Sequence, residues 1–206
     1  MHLIDDSLAM VLLGDWNKLY TQPEWFAKTV FEEDSIDIGV ENTPQSLVIS
    51  YKCNDILIHP TQEKVIFTAL QTSDATLDYL SKCIQNFINN SYTPQIVAYG
   101  INAKYTGSTA TMLAGIIDNI PDSSVFIQNG YVIESTNINR SLKKGDQVIN
   151  VNMAITGSDC LIHFNEHHGD NPSVPTVNGS LFKSFLNSCQ ELLVALGYEL
   201  DGDENE

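Results

Sequence analysis

The sequence predicts an α+β fold. Its expected form is a tandem, pseudo-symmetric repeat of β-α-β-β-(β)-β-α units, fused into one long antiparallel sheet with helices packed on one face. Three observations point there. Asp55-Ile56-Leu57-Ile58-His59 returns as Asp159-Cys160-Leu161-Ile162-His163, with four of five positions identical. Val11-Leu12-Leu13-Gly14 returns as Val97-Ala98-Tyr99-Gly100, and Tyr79-Leu80-Ser81-Lys82-Cys83 as Phe185-Leu186-Asn187-Ser188-Cys189. The three matches keep the same order along the chain. They divide it into copy one, residues 1–91, and copy two, residues 92–200, followed by an acidic tail, 201–206, expected to be disordered.

Copy one begins with a strand from about Leu8 to Trp16, apolar almost throughout and so expected at the centre of a sheet. Pro23 at a first helical position and Glu24 in the first turn start a helix over about Pro23 to Phe31, with Phe26 and Val30 on one face. Glu32-Glu33-Asp34 places negative charge where a helix C-terminus disfavours it, which stops the helix by Phe31. Ile36, Ile38 and Val40 alternate over about Ser35 to Glu41, as do Leu47, Ile49 and Tyr51, the pattern of strands with one wet face. Asn42-Thr43-Pro44 and Asn54-Asp55 are turns. Ile56 to His59 and Lys64 to Leu70 form a hairpin around Pro60 to Glu63. Ser73-Asp74 caps a helix whose apolar residues, Leu77, Leu80, Ile84, Phe87 and Ile88, recur at helical spacing.

Copy two repeats the scheme. A strand covers Val97 to Gly100, and a helix over about Thr109 to Ile117 places Met112 and Ile116 on one face. Pro121 to Gly130 reads as loop. Strands are expected at about Tyr131 to Ile138, Gln147 to Thr156 and Cys160 to Phe164, with turns at Gly145-Asp146 and Gly157-Ser158-Asp159. The last helix, about Ser180 to Leu196, closes at Gly197 and buries Phe182, Phe185, Leu186, Cys189, Leu193 and Leu196. Units of this kind expose a sheet edge and one apolar face, and two of them bury both by joining. The outline resembles the tandem-repeat saddle of the TATA-box-binding protein fold. The resemblance is architectural, since no sequence motif of that family is present.

Charge narrows the function. There are 26 acidic against 10 basic residues, a net charge of −16. Such a surface repels a phosphate backbone, so no nucleic acid is expected as partner, and it disfavours an anionic membrane surface. It favours a basic protein partner. The apolar run Leu8 to Leu13 is far shorter than the ~20 residues that cross a bilayer. Cys53, Cys83, Cys160 and Cys189 form no C-x-x-C pair and read as buried, reduced thiols of a cytoplasmic protein.

The sharpest chemical motif is His163-Phe164-Asn165-Glu166-His167, which has the H-x-x-E-H spacing of inverted zinc peptidases. There, two histidines on one helical face hold zinc and the glutamate activates water. In this chain the motif begins on an alternating strand, where His163 and His167 would stand about 13 Å apart at ~3.3 Å per residue. The same distance separates Asp55 from His59 and Asp159 from His163. That separation favours, over a catalytic zinc, a non-catalytic or adventitious metal site at His163, His167 and His168. No nucleophile elbow, P-loop or G-x-G-x-x-G is present, so no catalytic residue and no cofactor is assigned.

The expected function is therefore a non-enzymatic interaction or binding protein. It acts on a basic protein partner or by self-association as a homodimer, in the manner of an immunity or anti-defence factor. Two alternatives stand beside it. One is a metal-dependent hydrolase using His163, Glu166 and His167. The other is a small-molecule binder in a groove between sheet and helices, which requires an under-filled core.

Overall fold

The computed structural model describes residues 1–16, 22–42, 47–91, 96–108, 121–169 and 176–200. The fold is α+β, with one large antiparallel sheet of ten strands. In chain order the elements are β1 (His2–Leu3), β2 (Leu8–Leu13), α1 (Pro23–Trp25, continued with π spacing as Phe26–Phe31), β3 (Asp37–Asn42), β4 (Leu47–Cys53), β5 (Ile56–Pro60), β6 (Lys64–Ala69) and α2 (Asp74–Asn90). There follow β7 (Ala98–Ser108), α3 (Pro121–Gln128), β8 (Ser135–Lys144), β9 (Gln147–Thr156), β10 (Asp159–His168) and α4 (Gly179–Ala195). The strand order is β3-β4-β5-β6-β2-β7-β10-β9-β8, with β1 pairing β7. The chain forms two compact units, a larger one of Asp5–Asn102 and Glu166–Ser184, and a smaller one of Met1–Ile4, Ala103–Asn165 and Phe185–Glu206.

In the larger unit, strand alternation sorts side chains onto two faces. Tyr51, Ile58, Phe67, Met10 and Ile101 stand directly opposite one another across β4, β5, β6, β2 and β7, and all five are buried. Helices α1 and α2 cover this face through Phe26, stacked on Tyr51 at 4.4 Å, and Phe87, edge-on to Phe67 at 5.3 Å. The other face carries the row His59, Ile66, Val11 and Gly100. Strand β2 is central, as its unbroken apolar run requires.

The helix ends follow local rules. Ser73 Oγ accepts a hydrogen bond from the Thr76 backbone N–H at 3.2 Å and caps α2. Helix α1 stops at Phe31 because Glu32 turns left-handed, with φ 56°. The acid there is compensated from outside its helix: Lys82 on α2 approaches Glu32 to 2.7 Å, Asn86 donates to it, and together they hold its carboxyl below the usual range. Tight turns fall at Asn54-Asp55, Gly145-Asp146 and Gly157-Ser158, with Asn54, Gly145 and Gly157 at positive φ.

Strand β3 departs from the alternating expectation. Ile38 and Val40 are 51% and 63% exposed, because the α1–α2 layer ends over Tyr51 on β4 and β3 lies one strand beyond it.

In the smaller unit, β8 and β9 pair in continuous register from Ser135↔Thr156 to Lys144↔Gln147. Ile149, Val151, Met153 and Ile155 of β9 are buried with Cys160, Ile162 and Phe164 of β10. Phe185, Cys189 and Leu193 of α4 are buried in the same unit. The Tyr198 hydroxyl donates to Cys160 Sγ at 3.1 Å. Helix α4 closes as expected at Gly197, with φ 84° and a Tyr198 N–H to Leu193 carbonyl bond of 3.0 Å. The remaining faces of β8, β9 and β10 are rich in asparagine, and Asn150 donates to Asn165 at 3.3 Å.

Residues 121–128, read as loop from the sequence, are helix α3. Pro121 at its start obeys the rule that identified Pro23, but no apolar stripe accompanies it. Strands β7 and β10 run further than expected, to Ser108 and His168. The expected helix with Met112 and Ile116, the turn at Thr43-Pro44 and the tail 201–206 lie outside the described residues.

None of the four cysteines is in a disulfide, and only Cys53 is accessible in part. Burial pushes the Cys83 thiol up to about 12 and raises that of Cys160. Cys83, Cys160 and Cys189 are therefore expected to react with a thiol-specific chromophore only after denaturation. Counting thiols titrated before and after adding guanidinium checks this, and more than one fast-reacting thiol in the native protein would contradict it.

Candidate functional site

Strand β10 carries every histidine of the H-x-x-E-H motif and distributes them by its pleat. His163, Asn165 and His167 point to one face. Ile162, Phe164, Glu166 and His168 point to the other, with Glu166 buried. The glutamate thus stands across the strand from the two histidines that would hold a metal with it. Among the described residues no group of three or more His, Cys, Asp or Glu side chains converges to hold a metal ion.

Glu166 instead bonds His168, Oε1 to Nε2, at 2.9 Å. The Tyr99 ring on β7 stacks on the His168 imidazole at 4.4 Å and 14°. Burial, aided by the negative charge of Glu166, raises the Tyr99 hydroxyl pKa. A carboxylate and the imidazole it orients are two of the three members of a hydrolytic triad. Among the described residues, however, no hydroxyl or thiol bonds to His168. The arrangement fastens the end of β10 to the start of β7. The sequence named His168 but not Tyr99, whose role depends on strand pairing distant in the chain.

His59 and His163, the ends of the echoed pentapeptides, are both half-buried. Burial holds both below their ordinary value of 6.5, and for His163 the positive charge of Lys104 adds to the effect. The sign follows from proton counting. Between the folded pKa and 6.5 the unfolded chain binds more protons, so stability falls as pH drops through that window. The thermal midpoint is expected to fall between about pH 7 and pH 5, and to fall less in the double variant His59→Gln, His163→Gln. Equal pH slopes for the two proteins would contradict this reading.

Two further features are on the surface of the smaller unit. The first is an apolar arm. Helix α3 ends in a motif that fixes its direction: Gly130 has φ 83°, the Gly130 N–H reaches the Ile127 carbonyl at 3.0 Å, and the Tyr131 N–H reaches the Phe126 carbonyl at 3.0 Å. The Tyr131 ring meets Phe126 edge-on at 6.3 Å. Val125, Phe126, Ile127, Tyr131, Val132 and Ile133 are all exposed, Val132 at 84%. The second is a cleft of about 280 Å³ between the tip of the β8–β9 hairpin and α4, floored by Leu142, Ile149, Leu192 and Ala195 and edged by Lys144 and Glu191. It has room for one small molecule with an apolar body.

Among the described residues no helix is long and apolar enough to cross a membrane. Comparison with known proteins finds neither a family model nor a curated sequence that matches this chain.

Proposed function

We propose that this is a non-enzymatic interaction protein that grips a partner protein through the apolar arm of α3 and Tyr131–Ile133. The carrying observation is the exposure of six large apolar side chains within nine residues, on a helix closed at its C-terminus and on the segment that follows it, with Phe126 and Tyr131 in ring contact. Single exposed apolar residues need no explanation, but six of them concentrated in one short segment point to a place where another molecule sits. Between Ser123 and Ile133 the sequence holds no charged residue, so the patch presents no charge that its partner must desolvate. The net charge of −16 adds long-range attraction for a basic protein. Four cysteines without a disulfide fit a reducing, cytoplasmic setting.

The double variant Phe126→Ser, Val132→Ser tests the reading. Wild type and variant are compared for what each retains from an extract of the cell that makes the protein. Support is a basic protein held by wild type and lost by the variant, and then reconstituted with the two purified proteins. Identical retention by both would remove the arm from the account.

The tandem repeat is also kept as a proposal. Its support is the strand order, which reads β6-β5-β4 outward from β2 and β10-β9-β8 outward from β7. That order suits two copies joined through β2 and β7. The two pentapeptides share a phase, with Ile56, Ile58, Cys160 and Ile162 buried and both histidines half-buried. They differ in rank, since β5 is two strands from β2 whereas β10 is next to β7.

A further inference from the structure

We propose that copies of this chain associate edge to edge, β3 of one copy pairing antiparallel with β8 of the next. Strands β3 and β8 are the two ends of the strand order, and among the described residues each has a neighbour on one side only. An end strand presents a row of unpaired backbone N–H and C=O groups, which natural proteins normally blunt with proline, bulges or lysine. Here neither edge is blunted by proline or a bulge: β3 pairs with β4 over six consecutive residues, β8 with β9 over ten, and neither strand contains proline.

Charge selects between the possible pairings. Strand β3 carries Asp37 and Glu41 and no base, whereas β8 carries Arg140, Lys143 and Lys144 and no acid. None of these five side chains is in an ion pair among the described residues. Two β3 edges meeting antiparallel about Gly39 would set Asp37 against Glu41. Two β8 edges meeting about Leu142 would set Arg140 against Lys144. Like charges directly opposite destabilise a strand pair, so each edge rejects its own kind and accepts the other.

One register keeps the faces consistent as well. Asp37, Gly39 and Glu41 share a face with Ser50 and Lys52, the face of β4 opposite the buried Tyr51. Lys143, Ser141 and Asn139 share a face with Val148, Asn150 and Asn152, opposite the buried Ile149 and Val151. Setting Asp37 opposite Lys143 then places Ile38 on Leu142 and Val40 on the aliphatic stem of Arg140. Ile38, Val40 and Leu142 are all exposed in the single chain and lose water together. The contact is heterologous, so it adds copies one after another unless the rotation closes a ring. Overall repulsion from −16 per chain is screened beyond about 8 Å at physiological salt, a length that spares the cross-strand pairs.

Sedimentation velocity at physiological salt tests this with three proteins: wild type, Asp37→Lys with Glu41→Lys, and Lys143→Glu with Lys144→Glu. Wild type is expected to shift to heavier species as concentration rises. Each variant alone should associate on the order of tenfold or more weakly. Mixing the two variants in equal amounts should restore association, because a basic β3 edge again meets an acidic β8 edge. Wild type that stays monomeric, or association that both reversals leave intact, overturns the proposal. So does association lost in Phe126→Ser, Val132→Ser and kept in the edge variants, which would assign it to the arm. Hydrogen exchange on wild type needs no variant: the amides of β3 should gain protection with concentration, and unchanged exchange counts against the pairing.

Discussion

Replacing Phe87 by alanine is expected to remove about 3–5 kcal/mol of stability, the usual loss when a buried Phe is cut back to Ala. Phe87 is fully buried on α2 and is the hub of an aromatic cluster. Its ring lies 5.0 Å from Trp16, 5.3 Å from Phe67, 5.8 Å from Trp25 and 6.2 Å from Phe26. Rings are stiff, and four of them around a vacated site cannot collapse into it, so the loss should sit toward the upper end of that range. Against a typical total of about 5–15 kcal/mol, this is a large share. Both tryptophans of the chain touch Phe87, so their fluorescence reports its removal directly. Urea unfolding of wild type, Phe87→Ala and Phe87→Leu measures the effect. Phe87→Leu keeps most of the bulk and should lose less than the alanine variant. A loss below about 1 kcal/mol for Phe87→Ala would mean that the cluster does not organise this core.

What the sequence made legible was whatever is decided locally. Ser73 as a cap, Gly197 as a stop, the turns at Asn54, Gly145 and Gly157, and strand β9 from Gln147 to Thr156 all follow from short-range chemistry. What escaped was decided by position in the sheet. Ile38 and Val40 have the alternation of a half-buried strand, yet β3 lies beyond the helix layer. Helix α3 escaped because its apolar residues are consecutive and exposed, so no helical stripe marks it. The histidine motif was legible as residues but not as geometry. The pleat of β10 separates Glu166 from His163 and His167, and only the neighbouring β7 supplies Tyr99 to His168. Binding surfaces are hardest of all to read, because apolar residues in a sequence ordinarily signal a core.

The arm gives the opposite result from Phe87, and the contrast separates a core from a contact surface. Phe126→Ser with Val132→Ser is expected to change stability by no more than about 0.5 kcal/mol per site, since both side chains are exposed. Neither substitution touches Gly130 or the backbone bonds that close α3, so the arm keeps its shape. Loss of an aromatic anchor from an interface costs about 2 kcal/mol or more, roughly thirtyfold in affinity, and losing Val132 adds to it. Denaturation curves that overlay wild type, together with a titration of the purified partner that weakens by at least that factor, is the expected pair of results. Should the variant instead unfold several kcal/mol more easily, the arm would be part of this chain's own core in solution, and the surface assigned to a partner would have to be sought elsewhere.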